Sequence, residues 1–247
     1  MFQHELHVLT TLRHTNVCLF MGAAFQSDDI CIVTEWLALG SLHDRLQEAN
    51  GFEPKGTSNP KKRLLSPEQA RQLQAVSSQV SILQDTARGV NYLHSCSPPL
   101  LHRDLKSLNL LLDQHLHCKI CDFGLATVQQ NDLSVVGSLY WTAPEVLRGE
   151  GATIASDTYS FGIVMWEVFS GAQLYSEIKD QSRGSDRPSI TKRAQIAKGI
   201  LDGSLRPQNT DRIPPAAWEL MQRCWSHRAE LRPDFNEILH ELSVLPV

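Results

Sequence analysis

The sequence has no hydrophobic run long enough to span a membrane, since none approaches the roughly 20 apolar residues that a spanning helix needs. Cysteine is too sparse for a secreted disulfide framework, because only 6 cysteines are scattered over 247 residues. An excess of one charge is also lacking, as 23 Lys and Arg residues stand against 27 Asp and Glu residues. A slightly acidic chain offers no field that would hold a phosphate backbone. We therefore expect a cytoplasmic, intracellular protein with reduced thiols, no membrane span and no nucleic-acid partner.

The composition that remains is that of an ordinary globular protein. The chain is 42% hydrophobic and long enough to bury a sizeable core. Apolar positions at helical spacing predict a helix over residues 2–13, and two β-type runs at 17–21 and 30–34 predict a hairpin. Gly40 and Ser41 mark the start of a short helix.

Residues 66–69 carry the signature of a longer helix. Ser66 suits the N-cap, Pro67 suits the first helical position, and Gln69 completes a capping box. Apolar residues then recur every three or four positions, which predicts one long helix that ends near His94. Further strands are expected at 110–112 and 118–121, and further helices at 154–169, 191–201, 216–225 and 235–245. One helix and a small sheet followed by many helices indicate the α+β class.

The irregular stretch after this long helix carries the residues of a phosphoryl-transfer site. It reads HRDLKSLN and contains Asp104, Lys106 and Asn109, and Asp122 follows 13 residues later. Positioning and charge neutralisation do most of the work in phosphoryl transfer. We expect Asp104 to accept the proton of an attacking hydroxyl and Lys106 to lie near the transferred phosphoryl oxygens. Asn109 and Asp122 supply the hard oxygen ligands that Mg²⁺ prefers.

Further motifs make this stretch recognisable. The motifs, in chain order, are HRDLKSLN at 102–109, DFG at 122–124, APE at 143–145, DTYSFGIVMWE at 157–167 and CWSHRAELRP at 224–233. Together they closely resemble a eukaryotic protein kinase, and the match extends over nearly the whole chain. Lys106, two residues after Asp104, resembles the serine/threonine-specific pattern. HRDLKS, LFMG and DFGLATV resemble the tyrosine-kinase-like group near its Raf-type members.

The resemblance implies a protein-kinase-like α+β fold with a mainly helical large lobe and an incomplete small lobe of one helix plus two strands. The implied layout of this N-terminally truncated domain, 1–247, is a residual small lobe at 1–34, a hinge at 35–39 and a large lobe at 40–247 with insertions near 49–65 and 176–189. The implied activity is transfer of the ATP γ-phosphate to serine and threonine hydroxyls of protein substrates. ATP and Mg²⁺ are the expected cofactors, and an upstream kinase or a scaffold is a further expected partner.

The resemblance also assigns residues to the nucleotide and to the metal ion. Thr34 resembles the gatekeeper that precedes the adenine-binding hinge, and Asn109 and Asp122 correspond to the Mg²⁺ ligands. The positions expected around ATP are Thr34, Glu35, Leu37, Leu111, Cys121 and Asp122.

Structural and regulatory positions are implied in the same way. Glu145 and Arg232 resemble a buried ion pair, and Asp157 resembles the anchor of the catalytic loop. Arg103 implies that a phosphate on the activation segment orders it by charge pairing, with Ser134 the best-placed acceptor. The other implied positions are the first-helix glutamate Glu5, the hydrophobic-spine residue Phe123 and the DFG glycine Gly124.

Two parts of the kinase pattern are missing from the sequence. No GxGxxG motif occurs, only 4 residues precede Glu5, and no lysine precedes Lys55. The Gly-rich loop and strand lysine that hold the ATP phosphates are therefore absent, and the predicted hairpin would be a bare two-stranded ribbon. We expect that Met1 is not the true start, or that a partner covers this surface. The alternative function is a catalytically weak pseudokinase or truncated isoform that acts as a binding scaffold.

Overall fold

Two strands that follow the first described residues form a sheet of their own. The computed structural model describes residues 10–26, 29–52, 65–122, 138–179 and 189–246. In it, β1 (Phe20–Gln26) pairs antiparallel with β2 (Asp29–Thr34), with a register shift between Phe20 and Gly22. Met21, Ile32 and Val33 are exposed on this hairpin.

The start of β1 corrects the strand predicted at 17–21. Val17 forms an isolated parallel bridge with Ile120 instead. The bridge has two hydrogen bonds, because Cys18 N donates to Ile120 O at 2.8 Å and Ile120 N donates to Asn16 O at 2.9 Å. The apolar run therefore crosses from one sheet to the other, and only its second half enters the hairpin.

A second sheet has three short strands in the order β3-β4-β5. They are β3 (Gly40–Ser41), β4 (Leu110–Leu112) and β5 (Cys118–Ile120), and both pairings are antiparallel. β4 and β5 lie where the sequence places them, whereas β3 was expected only as the start of a helix. Because β4 and β5 are antiparallel, the residues before β4 and the residues after β5 lie at the same end of this sheet.

Helices make up about half of the described chain. They are α1 (Leu42–Ala49), α2 (Pro67–Gln74), α3 (Val76–His94), α4 (Pro144–Leu147), α5 (Ile154–Ser170), α6 (Ile190–Leu201), α7 (Pro215–Cys224) and α8 (Phe235–Ser243). Short 3₁₀ turns lie at Ser107–Asn109, Leu139–Trp141 and Ala229–Leu231. The α+β class is confirmed. In the part of the chain that the structure describes, no helix combines the length and apolar character needed to cross a membrane.

The predicted long helix is broken in two at Ala75. Its start is confirmed, because Ser66 Oγ accepts from Gln69 N at 3.1 Å and Gln69 Oε1 accepts from Ser66 N at 3.0 Å. Ala75, however, is extended with ψ 134. The break lets α2 pack on α1 through Leu73, while α3 packs on α5 and α8. The apolar spacing continues through Ala75, so the pattern alone predicts no break.

The helix α5 is the centre of the core. Every residue from Ser156 to Ser170 is buried, and Gly162 allows α7 to approach, since a Cβ there would lie 2.8 Å from the Cβ of Cys224. Two carboxylates, Asp157 and Glu167, are buried on this apolar helix. Buried charges are costly unless they are hydrogen-bonded. Their partners therefore show which segments α5 holds in place.

Candidate active site

Asp157 on α5 fixes the start of the loop that joins α3 to β4. Its Oδ2 accepts from His102 N at 2.9 Å and from His94 Nε2 at 2.8 Å, and its Oδ1 accepts from Arg103 N at 2.9 Å. Burial alone would raise the pKa of Asp157, but the hydrogen bond and charge of His94, with His102, bring this pKa below its usual range. An ionised Asp157 thus fixes the start of the loop, where Arg103 has the left-handed φ of 66°.

Asp104 lies at the centre of a polar cluster on this loop. Lys106 Nζ donates to Asp104 Oδ2 at 2.5 Å and to Ser138 Oγ at 2.9 Å. Asn109 Nδ2 donates to the backbone oxygen of Asp104 at 2.9 Å and to Asp104 Oδ2 at 3.1 Å. Both donors approach Oδ2, so the carboxylate is oriented with Oδ1 as the oxygen that these two side chains leave open.

Backbone hydrogen bonds bring the two segments that carry the predicted metal ligands next to each other. Cys121 N donates to the backbone oxygen of Asn109 at 2.9 Å, and His102 Nε2 lies 3.1 Å from Cys121 O. These bonds fix the residue before Asp122, which is exposed and has φ 63°. The amide nitrogen of Asn109 is engaged with Asp104, which leaves its oxygen for a cation. An amide oxygen beside a carboxylate is a donor set that fits Mg²⁺.

The residues expected to bind adenine lie between β2 and β3 and on the neighbouring strands. Thr34 is exposed at the end of β2, Leu37 is buried, and Leu111 is half-buried on β4. Cys121 is half-buried after β5, and burial is the main cause that raises the pKa of its thiol to about 12. This thiol is therefore protonated at neutral pH.

The side chain of Glu35 is engaged within the protein. Its Oε1 accepts from Leu19 N at 2.7 Å, and Lys119 Nζ lies 2.8 Å from Oε1 and 2.7 Å from Oε2. The carboxylate therefore joins the connection after β2 to β5, and only the backbone of Glu35 is left for a nucleotide base. Sequence reasoning missed this contact, because nothing in a separation of 84 residues signals it.

Glu145 and Arg232 form a buried ion pair. Arg232 Nη1 lies 2.6 Å from Glu145 Oε1, and Arg232 Nη2 lies 2.9 Å from Glu145 Oε2. Burial would raise the pKa of Glu145, but the hydrogen bonds and charge of Arg232 bring this pKa below its usual range. The pair joins α4 to the segment before α8 across 87 positions of sequence.

A second buried carboxylate, Glu167, was not singled out from the sequence. Its Oε1 accepts from Ser107 Oγ at 2.8 Å and its Oε2 accepts from Trp141 Nε1 at 2.8 Å. The sequence offers one weak signal, an acid at the end of an otherwise apolar helix. The structure shows that this acid contacts the loop between α3 and β4, through Ser107, and the 3₁₀ turn before α4, through Trp141.

Four predicted residues lie outside the described residues: Glu5, Phe123, Gly124 and Ser134. Most of the two predicted insertions also lies outside them. Arg103, the expected partner of a phosphate, is described. Its Nε is buried and has no hydrogen-bond partner among the residues that the structure describes.

Comparison with known proteins gives one family. A family model described as "Protein tyrosine and serine/threonine kinase" matches residues 1–242. Three similar proteins of Arabidopsis thaliana are "Probable serine/threonine-protein kinase SIS8" (34% identity), "Serine/threonine-protein kinase STY17" (32%) and "Serine/threonine-protein kinase CTR1" (33%). Each alignment covers 99% of this chain but only 21%, 37% and 26% of the respective relative. The chain thus spans well under half the length of these relatives.

Proposed function

Because the chain belongs to the protein tyrosine and serine/threonine kinase family, we propose that it transfers the γ-phosphate of ATP to serine and threonine hydroxyls of protein substrates. The observation that carries the proposal is the cluster in which Lys106 and Asn109 both contact Asp104. The acceptor class is supported by relatives whose names are those of serine/threonine kinases. A scaffold without catalysis has less support, since these relatives are kinases by name and the loop carries Asp104, Lys106 and Asn109.

The geometry of the loop supports a specific division of work. Lys106 and Asn109 both donate to Asp104 Oδ2, so Oδ1 is the oxygen that accepts the proton of the substrate hydroxyl. Lys106 Nζ, held between Asp104 and Ser138, provides positive charge for the transferred phosphoryl oxygens. The three side chains therefore align the acceptor hydroxyl and offset charge, which is most of what this reaction requires.

ATP and Mg²⁺ are the proposed cofactors. Asn109 and Asp122 would hold Mg²⁺, which when bound neutralises charge on the ATP phosphates. The backbone of residues 35–37 would contact the adenine, and the side chains of Thr34, Leu111 and Cys121 would line its pocket.

Regulation and context are also part of the proposal. Arg103, with its buried Nε, would receive a phosphate placed on Ser134 by an upstream kinase. We place the protein in the cytoplasm and divide it into a residual small lobe at 1–34, a hinge at 35–39 and a large lobe at 40–247. A scaffold partner on the small-lobe face belongs to the same proposal.

This sequence contains no GxGxxG motif and no lysine before Lys55. Removal of one preorganised charge from an active site typically lowers the rate about 10²- to 10³-fold. We therefore expect slow transfer by this chain, and the assay must detect incorporation over hours.

The test incubates the purified chain with Mg²⁺, radiolabelled ATP and casein as a general acceptor, and then identifies the labelled amino acids. Phosphoserine and phosphothreonine are expected, with no incorporation above background for Asp104→Asn. Asp211→Asn is the matched control, because Asp211 is an exposed acid outside the site. Label on tyrosine, or equal incorporation by Asp104→Asn, contradicts the proposal, and so does a chain that transfers no phosphate.

A further inference from the structure

We infer that Glu167 is a positioning residue for phosphoryl transfer, which holds the catalytic loop and the segment 138–141 in one fixed arrangement. The inference rests on the proposed function for its kinetic consequence. Its structural content, that one buried carboxylate couples two segments of the active site, is independent of turnover.

The two hydrogen-bonded partners of Glu167 that the structure describes are buried, as is Glu167 itself. The residue is 6% exposed, Ser107 is 0% exposed and Trp141 is 7% exposed. Each carboxylate oxygen accepts one hydrogen bond, Oε1 from Ser107 and Oε2 from Trp141, both at 2.8 Å. A charge-assisted hydrogen bond is stronger than a neutral one, and a buried carboxylate that loses a donor is costly. Glu167 therefore favours the single arrangement in which both donors are in place.

The two donors belong to the two segments that meet at Lys106. Ser107 follows Lys106 directly in the catalytic loop. Trp141 follows Ser138 by one 3₁₀ turn, and its N–H donates to Ser138 O at 3.1 Å. Lys106 Nζ connects the same two segments directly, because it donates both to Asp104 and to Ser138 Oγ. Glu167 thus fixes the distance between the two groups that hold the Lys106 ammonium.

Two residues, one on α5 and one on α1, also contact the groups that Glu167 holds. Ser160 Oγ, also on α5, donates to Trp141 O at 2.7 Å and so fixes the backbone of the same turn. His43 on α1 places its Nδ1 3.4 Å from Ser107 Oγ and 3.9 Å from Glu167 Oε1. The carboxylate is therefore enclosed by donors from α1, the catalytic loop and the 3₁₀ turn before α4.

The first test measures amide hydrogen exchange and needs no turnover. In Glu167→Gln the side chain keeps its size but loses its charge, so the hydrogen bonds with Ser107 and Trp141 lose their charge-assisted strength. We expect faster exchange in both 102–112 and 138–143, with α8 unchanged. The control is Leu242→Ala, since Leu242 is buried on α8 and far in sequence from both segments. Unchanged exchange in either segment of Glu167→Gln overturns the inference.

The second test is kinetic and compares single with double variants on the full chain. We expect Glu167→Gln and Ser107→Ala each to lower kcat about tenfold, with the KM for ATP unchanged within about twofold. The double variant should lose no more than either single one, because both changes break one coupled unit. Losses that multiply, or a KM for ATP that rises as kcat falls, contradict a positioning role. Inactive wild-type protein would refute the proposed function, while hydrogen exchange would still decide the coupling.

Discussion

Replacement of Arg232 by methionine removes the partner of a buried carboxylate, and its cost follows from the contacts that are lost. Arg232 makes two hydrogen bonds to Glu145, one to Ala155 O at 2.8 Å and one to Ser226 O at 2.9 Å. Its side chain is 0% exposed and that of Glu145 is 9% exposed. In Arg232→Met, the hydroxyl of Ser156 at 3.1 Å is the one side-chain donor that Glu145 keeps among the described residues.

Breaking a buried ion pair by removal of one partner typically costs about 3–5 kcal/mol, which for a chain of this size corresponds to a fall in Tm of about 6–20 °C. The free energy of unfolding is measured by urea titration at pH 7, followed by circular dichroism. The matched control is Arg228→Met, because the Arg228–Glu230 pair is exposed, with side chains 67% and 62% accessible. An exposed pair of this kind contributes less than about 1 kcal/mol.

The stability that the Glu145–Arg232 pair contributes depends on pH. The pKa of Glu145 lies below its usual value in the folded state, so its pairing stabilises the fold above the unfolded pKa and this stability is lost as the pH falls through the folded pKa. The difference between wild type and Arg232→Met should therefore shrink in acid. The double variant Arg232→Met with Glu145→Gln should be more stable than Arg232→Met alone. A loss below about 1 kcal/mol at pH 7, or a double variant less stable than the single one, would refute this reasoning.

Three further predictions concern other groups. The carboxylate of Glu167, whose Oε1 lies 3.9 Å from His43 Nδ1, is the main cause that raises the pKa of His43, so His43→Gln should lower Tm most at about pH 6 and least near pH 9; a loss that grows with pH would contradict this prediction. Iodoacetamide at about pH 8 should label the exposed Cys31 before Cys121, whose thiol pKa is raised to about 12, and mass spectrometry showing the reverse order would contradict the described burial. Asp157→Asn should lower kcat about a hundredfold with little change in the KM for ATP, since it releases the start of the catalytic loop; steady-state kinetics showing an unchanged kcat would count against this.

Local signals in the sequence predicted the elements well. The capping box at Ser66 and Gln69 is present with both hydrogen bonds, because N-cap chemistry depends on residues three apart. The strands β4 and β5 and the four helices from α5 to α8 begin and end within about two residues of the predicted bounds. The break at Ala75 was missed, since the apolar spacing continues through it and only the structure shows that α2 packs on α1 while α3 packs on α5 and α8.

In the candidate site, too, residues close in sequence were predicted and contacts between distant residues were not. Asp104, Lys106 and Asn109 are close in sequence, so the motif was sufficient to place them together. The contacts of Glu35 with Lys119 and of Glu167 with Trp141 join residues 84 and 26 positions apart. Only the packing of helices and strands decides which distant side chains become neighbours, and residue spacing carries no information on it.

One assay tests the acceptor and the base of the proposed reaction together, and it is the most direct test of the proposed function. The purified chain with Mg²⁺ and labelled ATP is given two peptides that differ only in having serine or tyrosine as the single acceptor. We predict label on the serine peptide, none above background on the tyrosine peptide, and loss of serine labelling in Asp104→Asn but not in Asp211→Asn. Serine labelling that survives in Asp104→Asn, or transfer to tyrosine alone, would contradict the account.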